Sequence, residues 1–411
     1  MERAVITGMG VVTPIGNSLT DFETNLFAGR HGIVPIDRFD ASDMAVSVYA
    51  PVREPDAART IPDNELRRLD RYCLFGLLAA RQAMEESGIQ GSIDPYRLGV
   101  SMSSGAGGVE TLLSEFEILQ QRGARRVSPL LVPKWIPNMI AGLVSIDVGA
   151  RGPSISHNAA CASSAVGIGE ALRAIRHGYV DAVICGGAEA VARKVVMAGF
   201  QNLRALTPSN DPDRASIPFD RERKGFVLGE GAGAIVVENA SHARSRGAHC
   251  YGEVTGYGIT SDASHITAPC ADGEAVDWAM NYALREACAA RPDAADGLIH
   301  VNAHGTGTVL NDRVEAGAIA RVLGERAVVT STKSMTGHLL AGAGAVEVIA
   351  SVLAMRAGLV PPTVGTTEID AGMQVDVVTG AARPASFSRA MSLSLGFGGH
   401  NVCLVIDAAE G

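Results

Sequence analysis

The chain has 411 residues, 47% of them hydrophobic and 19% charged, enough apolar material to bury a large core. Its formal charge of −9 speaks against nucleic acid as a general partner, and no apolar run stays free of small, polar or charged breaks over the roughly 18 residues of a membrane helix, so no membrane partner is expected. Seven cysteines (Cys73, Cys161, Cys185, Cys250, Cys270, Cys288, Cys403) form no CxxC pair and no metal-ligand cluster, which points to a reducing, cytoplasmic setting and away from a disulfide framework or a metal site.

In chain order, Met1-Glu2-Arg3-Ala4-Val5 lacks the pattern of a signal peptide and leads into a first strand, Ala4 to Thr7, before Gly8-Met9-Gly10. Arg67-Arg68-Leu69-Asp70-Arg71 is a basic cluster in an acidic chain, readable as a solvated helix face or as a landing area for an acidic partner. An insertion with Pro129, Pro133 and Pro137 spans 105–138. Then Ser154 to Ala165 reads as strand, sharp turn and helix, with Val166, Leu172 and Ile175 along one helical face. Cys161 would lie at that helix's N-terminus, where unpaired N–H groups and the helix dipole predict a thiol pKa below the usual value of about 8.5. The alternative is a buried structural cysteine.

A glycine turn runs into a buried strand over Val227 to Val237, and Tyr251 to Gly258 repeats the first strand. The short apolar strand Leu298 to Asn302 ends at His304 in a glycine and threonine loop. Val328 to Thr330 leads to Lys333 and His338, which flank a second strand-to-helix turn before the small-residue helix Leu339 to Met355. Phe397 to Ile406 again runs from a glycine turn into a strand. The repeats divide the chain into halves, 1–245 with the cysteine and 246–411 with the histidines and lysine, sharing one core.

A cysteine, a lysine and two histidines at strand ends suit acyl transfer through a thioester. At these residues, and in Val5-Ile6-Thr7-Gly8-Met9-Gly10, Pro218-Phe219-Asp220-Arg221-Glu222-Arg223-Lys224-Gly225-Phe226 and Gly396-Phe397-Gly398-Gly399-His400-Asn401, the sequence resembles the β-ketoacyl-acyl-carrier-protein synthases of the thiolase superfamily, nearly end to end. The resemblance implies an α/β thiolase fold, with duplicated βαβαβαββ halves forming a five-layer αβαβα sandwich of central helices between two mixed sheets. It implies decarboxylative Claisen condensation in fatty acid or type II polyketide elongation. Cys161 would be the acyl-accepting nucleophile, His304 and His338 the decarboxylation pair, Lys333 their electrostatic partner and Glu315 a buried carboxylate behind them. The backbone N–H groups of Cys161 and Phe397 would form the oxyanion hole; Phe397, Ala106 and Phe200 would gate and line the acyl pocket, and Thr306 and Thr308 would hold pantetheine.

The same resemblance implies docking of an acyl carrier protein at Arg67, Arg68 and Arg204, with Arg71, Arg122, Arg125 and Arg126 as weaker candidates. No metal or redox cofactor is required, because the substrates ride on the carrier's phosphopantetheine. It implies a dimer through the strand near Pro153 to Asn158, either a homodimer or a heterodimer with a chain-length-factor homologue, in which the 130–140 region closes the partner's pocket. Departures at Ala106, Val309, Leu393, Leu395 and His400 weaken a housekeeping fatty-acid assignment and keep a type II polyketide system open. A degradative thiolase would need a second cysteine in the Gly396 to Asn401 motif, a non-catalytic chain-length factor would lack Cys161 or a histidine, and nothing suggests the water channel of a cysteine hydrolase.

Overall fold

Two strands with the same Gly-x-Gly spacing open two copies of one α/β unit in the computed structural model, which describes residues 2–53, 55, 61–294 and 297–409. The first unit contains strands β1 (Ala4–Val12), β2 (Leu98–Ser103), β3 (Ser154–Ile155), β4 (Ala182–Glu189) and β5 (Gly231–Asn239), with helices α1 (Arg71–Ser87), α2 (Met139–Val148) and α3 (Ser163–Arg176). The second contains β6 (Gly252–Ser261), β7 (Ile299–Asn302), β8 (Ala327–Thr330), β9 (Asp376–Val377), β10 (Arg389–Gly396) and β11 (His400–Asp407), with α4 (Glu274–Ala290), α5 (Val309–Leu323) and α6 (Ala343–Ala357).

The strand order β1-β5-β4-β2-β3 recurs as β6-β11-β10-β7-β8, with β9 added outside β8. Directions recur as well: β2 is parallel to β3 and β4 while β5 is antiparallel to β4 and β1, and every counterpart pair agrees. One expectation needs correcting. The half-sheets are not separate, because β1 and β6 pair antiparallel at Val5↔Glu253 and Ile6↔Gly252 and fuse them into a single eleven-stranded sheet.

Three apolar clusters fill the spaces between the five layers. Tyr72, Phe75 and Leu78 of α1 and Ile140 and Val144 of α2 cover the outer face of the first half-sheet. Met280 and Ala283 of α4 and Ile319 of α5 cover the second. Between the half-sheets, Ile168 and Leu172 of α3 meet Val346 and Ile349 of α6. Strand alternation feeds these layers: Val402, Leu404 and Ile406 of β11 point to the central helices, whereas Cys403 and Val405 point outward. Cys185 and Cys403 are both fully buried, as their apolar strands predict.

The glycine spacing explains how closely helix and strand approach. A Cβ on Gly8 or Gly10 would come within 2.0 and 2.1 Å of the Ala83 and Ala79 carbonyl oxygens of α1; at Gly256 and Gly258 the corresponding distances are 2.1 and 1.8 Å, to Ala283 and Ala279 of α4. Only glycine fits such contact. The stretch Leu340–Ala357 is long and apolar enough to cross a membrane, but 83% of it is buried inside the protein, as the central layer requires. At one end of the sheet β3 is two residues long and pairs only with β2, leaving Ile155 half exposed.

Candidate active site

Both units use the same device to aim a residue at the centre of the molecule. Residues Ala160–Ala162 form a tight turn ahead of α3, and Leu340–Gly342 form the equivalent turn ahead of α6. Each turn opens on a residue with a left-handed backbone, φ 48° at Ala160 and φ 47° at Leu340. An L-residue there costs about 1–3 kcal/mol, strain kept where the surrounding structure over-determines it. Cys161 and Ala341 therefore hold the same place in the two elbows. The strand end of each unit meets the other unit's elbow. A Cβ on Gly396 would lie 2.5 Å from the Ala159 carbonyl and 3.4 Å from the Cys161 nitrogen, and one on Gly187 would lie 2.5 Å from the Ala341 carbonyl.

Cys161, His304 and His338 line one cavity of about 290 Å³, together with Ala106, Phe200, Thr306, Thr308 and Phe397. The histidine rings meet edge to face, centroids 5.3 Å apart, and Phe226 packs edge-on against His338 at 5.2 Å. His338 Nδ1 accepts the Leu340 N–H at 3.2 Å, so its ring proton sits on Nε2. Burial, with the Lys333 charge close by, holds both imidazoles well below their ordinary pKa of 6.5 and therefore neutral.

The sulfur departs from the sequence expectation. Burial pushes the Cys161 thiol up to about 11, although the Lys333 charge and the backbone N–H groups of Phe397 and of Cys161 itself pull it down. The helix dipole was expected to win; desolvation in a nearly closed cavity is larger, so the resting group is a thiol and not a thiolate. The same two backbone donors are those expected for the oxyanion hole.

Lys333 does not line the cavity. It is buried behind it, and Nζ donates to Glu347 of α6. Glu315 is fully buried one layer out, accepting the backbone N–H of His304 at 2.6 Å and of Gly305 at 2.8 Å, and burial with the Asp312 charge raises its pKa to about 8. Thr306 and Thr308 face one another, Oγ1 to Oγ1 at 3.0 Å. Phe200 and Phe397 stand 6.4 Å apart, centroid to centroid. Around them the Pro218 to Phe226 motif fastens the loop that carries Thr306 and Thr308. Gly225 N donates to the Gly307 carbonyl at 3.0 Å, and Arg223 donates to the Val309 carbonyl.

The proposed docking arginines lie outside the cavity: Arg67, Arg68 and Arg204 are all exposed. Arg71 is not available in the same way, because buried Glu230 grips it at 2.9 Å and its guanidinium lies over the Phe75 ring. Among the departures, Ala106 and Leu395 line the cavity, Leu393 is buried in the outer core, His400 packs against Gly398 of the gate, and Val309 is half exposed.

Four site residues had no separate role in the sequence reading. Phe226 was only part of a motif. Glu189 closes β4 and lines the cavity with 0% exposure. Asp262 and Asn401 latch the two loops at the gate: the Asn401 side chain donates to Asp262 at 2.7 Å, the Asp262 N–H donates to Gly399 O, and the Gly398 N–H donates to Ile266 O. A carboxylate ending the apolar run Ala182 to Ala188 was the one available signal for Glu189.

Comparison with known proteins supplies the context. Residues 1–243 match the family described as beta-ketoacyl synthase, N-terminal domain, and 251–367 its C-terminal domain. The chain is 43% identical to 3-oxoacyl-[acyl-carrier-protein] synthase 2 of Synechocystis sp. over 98% of this chain and 97% of that one, and 42% identical to its namesake from Coxiella burnetii over 99% and 98%. Among solved structures it resembles the ishigamide ketosynthase/chain length factor, at TM-score 0.92 and 31% identity over the whole of both chains. It resembles a beta-ketoacyl synthase from Burkholderia phymatum at TM-score 0.92 and 32% identity, again over the whole of both.

Proposed function

The chain belongs to the β-ketoacyl synthase family, and from that premise we propose how its residues carry out decarboxylative condensation of an acyl thioester with malonyl-acyl carrier protein. The observation that carries this reading is the convergence of one thiol, two neutral imidazoles and two backbone N–H donors on one cavity.

In the first half-reaction the Cys161 sulfur attacks the carrier-bound acyl carbonyl. The tetrahedral oxyanion is held by the backbone N–H groups of Cys161 and Phe397, and the departing pantetheine thiol leaves with the proton that Cys161 gives up. A thiol with a pKa near 11 suits this exchange, since no net proton is gained or lost. In the second, malonyl thioester loses its carboxylate as carbon dioxide. Its thioester oxygen becomes an enolate oxygen, stabilised by hydrogen bonds from neutral His304 and from His338 Nε2–H. The enolate carbon then displaces Cys161 from its acyl group, giving a 3-oxoacyl chain two carbons longer, and one proton is taken up as the thiol re-forms. Electrons and atoms balance without a metal or redox cofactor. Burial, seconded by the Lys333 charge, keeps the imidazoles neutral, and Glu315 anchors the His304 backbone.

Exposed Arg67, Arg68 and Arg204 offer positive charge to an acidic carrier on a chain of net charge −9. The open edge at β3, with Ile155 half exposed, supports pairing with a second chain. Ala106 is exposed in the single chain, consistent with a pocket wall completed by that partner. A homodimer in fatty acid elongation is one form of this reading. The other is a heterodimer with a chain-length-factor homologue in a type II polyketide system; the 43% identical 3-oxoacyl-[acyl-carrier-protein] synthase 2 supports the first form, the 31% identical ishigamide ketosynthase/chain length factor supports the second, and co-purification of the native complex distinguishes them. The cytoplasm, where carriers are loaded, is the proposed location.

Incubation of the wild-type chain with acyl and malonyl carrier proteins, followed by intact mass measurement, is expected to show one acyl group on Cys161 and an elongated 3-oxoacyl carrier. Cys161→Gln is expected to abolish both while still releasing carbon dioxide from malonyl carrier. Elongation by the variant at the wild-type rate refutes the reading.

A further inference from the structure

Glu189 stands where the two units touch, and its four hydrogen bonds come from two different places. It accepts from Ser104 Oγ at 2.8 Å, from the backbone N–H groups of Gly105 at 2.9 Å and Ala106 at 3.3 Å, and from the Ala341 N–H of the second elbow at 3.4 Å. The first three belong to the segment that leaves β2 and forms the wall of the cavity at Ala106. That same wall is tied to the cysteine elbow, because Asn158 Nδ2 donates to the Gly105 carbonyl at 3.0 Å. Ser104 Oγ also accepts the Gly107 N–H at 2.9 Å, which fixes its hydroxyl proton toward the carboxylate.

Without the carboxylate, three backbone N–H groups would lose their acceptor, two of them in a segment that follows no helix or strand ladder. The fit is also steric. A Cβ on Gly105 would lie 2.9 Å from Glu189 Oε2 and 3.8 Å from the Ala341 Cβ, so wall, carboxylate and second elbow are in direct contact. Any shift of the carboxylate is passed to Ala106, which faces the space beside Cys161.

We propose that Glu189 is a positioning residue that clamps the Ser104–Ala106 wall to the second elbow and thereby sets which acyl chains Cys161 accepts. The inference rests on the condensing activity proposed above, and it assigns a determinant of substrate length to a residue outside the reacting groups. Its mode of action is geometric. The carboxylate touches wall and elbow, and the wall at Ala106 lines the cavity beside Cys161.

The test uses Glu189→Gln in the full chain, compared with wild type in three measurements: transfer to Cys161 from carrier thioesters of short, medium and long acyl chains, carbon dioxide release from malonyl carrier, and thermal stability. The amide directs N–H toward donors and breaks one or two of the four bonds. Transfer of the longest chains is expected to change by about tenfold relative to the shortest, the scale of one or two charge-assisted hydrogen bonds, and by more than carbon dioxide release changes. Equal loss of transfer and carbon dioxide release, with lowered stability, reduces Glu189 to a structural residue and overturns the proposal; so does an unchanged length profile. Ser104→Ala, which removes the hydroxyl's bond to Glu189 and its bond from the Gly107 N–H but keeps the carboxylate and its three backbone donors, is expected to move the profile in the same direction by a smaller factor, and it decides the matter if the glutamine variant does not fold. A wild-type chain that fails to elongate refutes the proposed function instead, so the two failures are distinguishable.

Discussion

The cysteine elbow and the second elbow share a backbone but differ in what surrounds the residue at the tip. At Ala160–Ala162 the strand end facing the turn is Gly396, whose backbone lies hard against the elbow, and the Phe397 N–H is turned toward the sulfur. At Leu340–Gly342 the facing strand likewise packs a glycine, Gly187, against the turn, but two residues on it adds Glu189, whose carboxylate takes the Ala341 N–H. The second elbow has therefore lost its free donor and its nucleophile, and its useful group stands three residues earlier, at His338. The two turns share a backbone conformation, and a carboxylate occupies the Ala341 N–H of the second where the Cys161 N–H of the first faces that residue's own sulfur.

The largest effect expected from breaking this division comes from the second elbow. His338→Ala or His304→Ala removes a preorganised donor to the developing enolate, and carbon dioxide release from malonyl carrier is expected to fall by about 10²–10³-fold. Acyl transfer to Cys161 should stay within a few-fold, because its donors are backbone groups of the other elbow. Stopped-flow acylation read by intact mass, beside a carbon dioxide assay, checks both; parallel loss of the two half-reactions in both variants breaks the comparison.

The division of labour was partly legible in the sequence. Gly8-Met9-Gly10 against Gly256-Tyr257-Gly258, and the two strand-to-helix turns, disclosed the duplication because close helix–strand approach demands glycine locally. Cys161, His304 and His338 were found because each stands in a short string of chemistry-bearing residues. What escaped depends on distance along the chain. Glu189 meets Ser104 and Ala341, 85 and 152 residues away, and Arg71 is sequestered by Glu230 at a separation of 159. The fused sheet depends on two residue pairs between β1 and β6 with no signature of their own. The protonation of Cys161 was misread for the same reason: helix dipole and neighbouring charge are local, whereas desolvation is the sum of everything that closes the cavity.

That last point yields the next prediction in size. With its thiol near pKa 11, Cys161 should react with iodoacetamide about tenfold faster for each unit of pH up to that value, at least two units above a free cysteine's midpoint of about 8.5. The direction follows from burial: raising pH produces the thiolate that the empty cavity disfavours. A midpoint near or below 7 would mean that the dipole and Lys333 outweigh burial after all, and would return the cysteine elbow to a resting thiolate.

The smallest effect sharpens the comparison most. Ala341→Cys gives the second elbow the side chain of the first at the same backbone place. Ala341 is fully buried and lies outside the cavity lining, against the Gly105 wall and beneath Glu189. One added sulfur there costs about 1–3 kcal/mol of overpacking and places no thiol within reach of a pantetheine arm. Acyl carriers are therefore expected to label the variant once, on Cys161, with elongation altered no more than a few-fold. Mass mapping of the acylated peptides decides it: label on residue 341 would mean that backbone geometry alone makes a nucleophile, and that the Glu189 carboxylate at the second elbow is not what distinguishes the two.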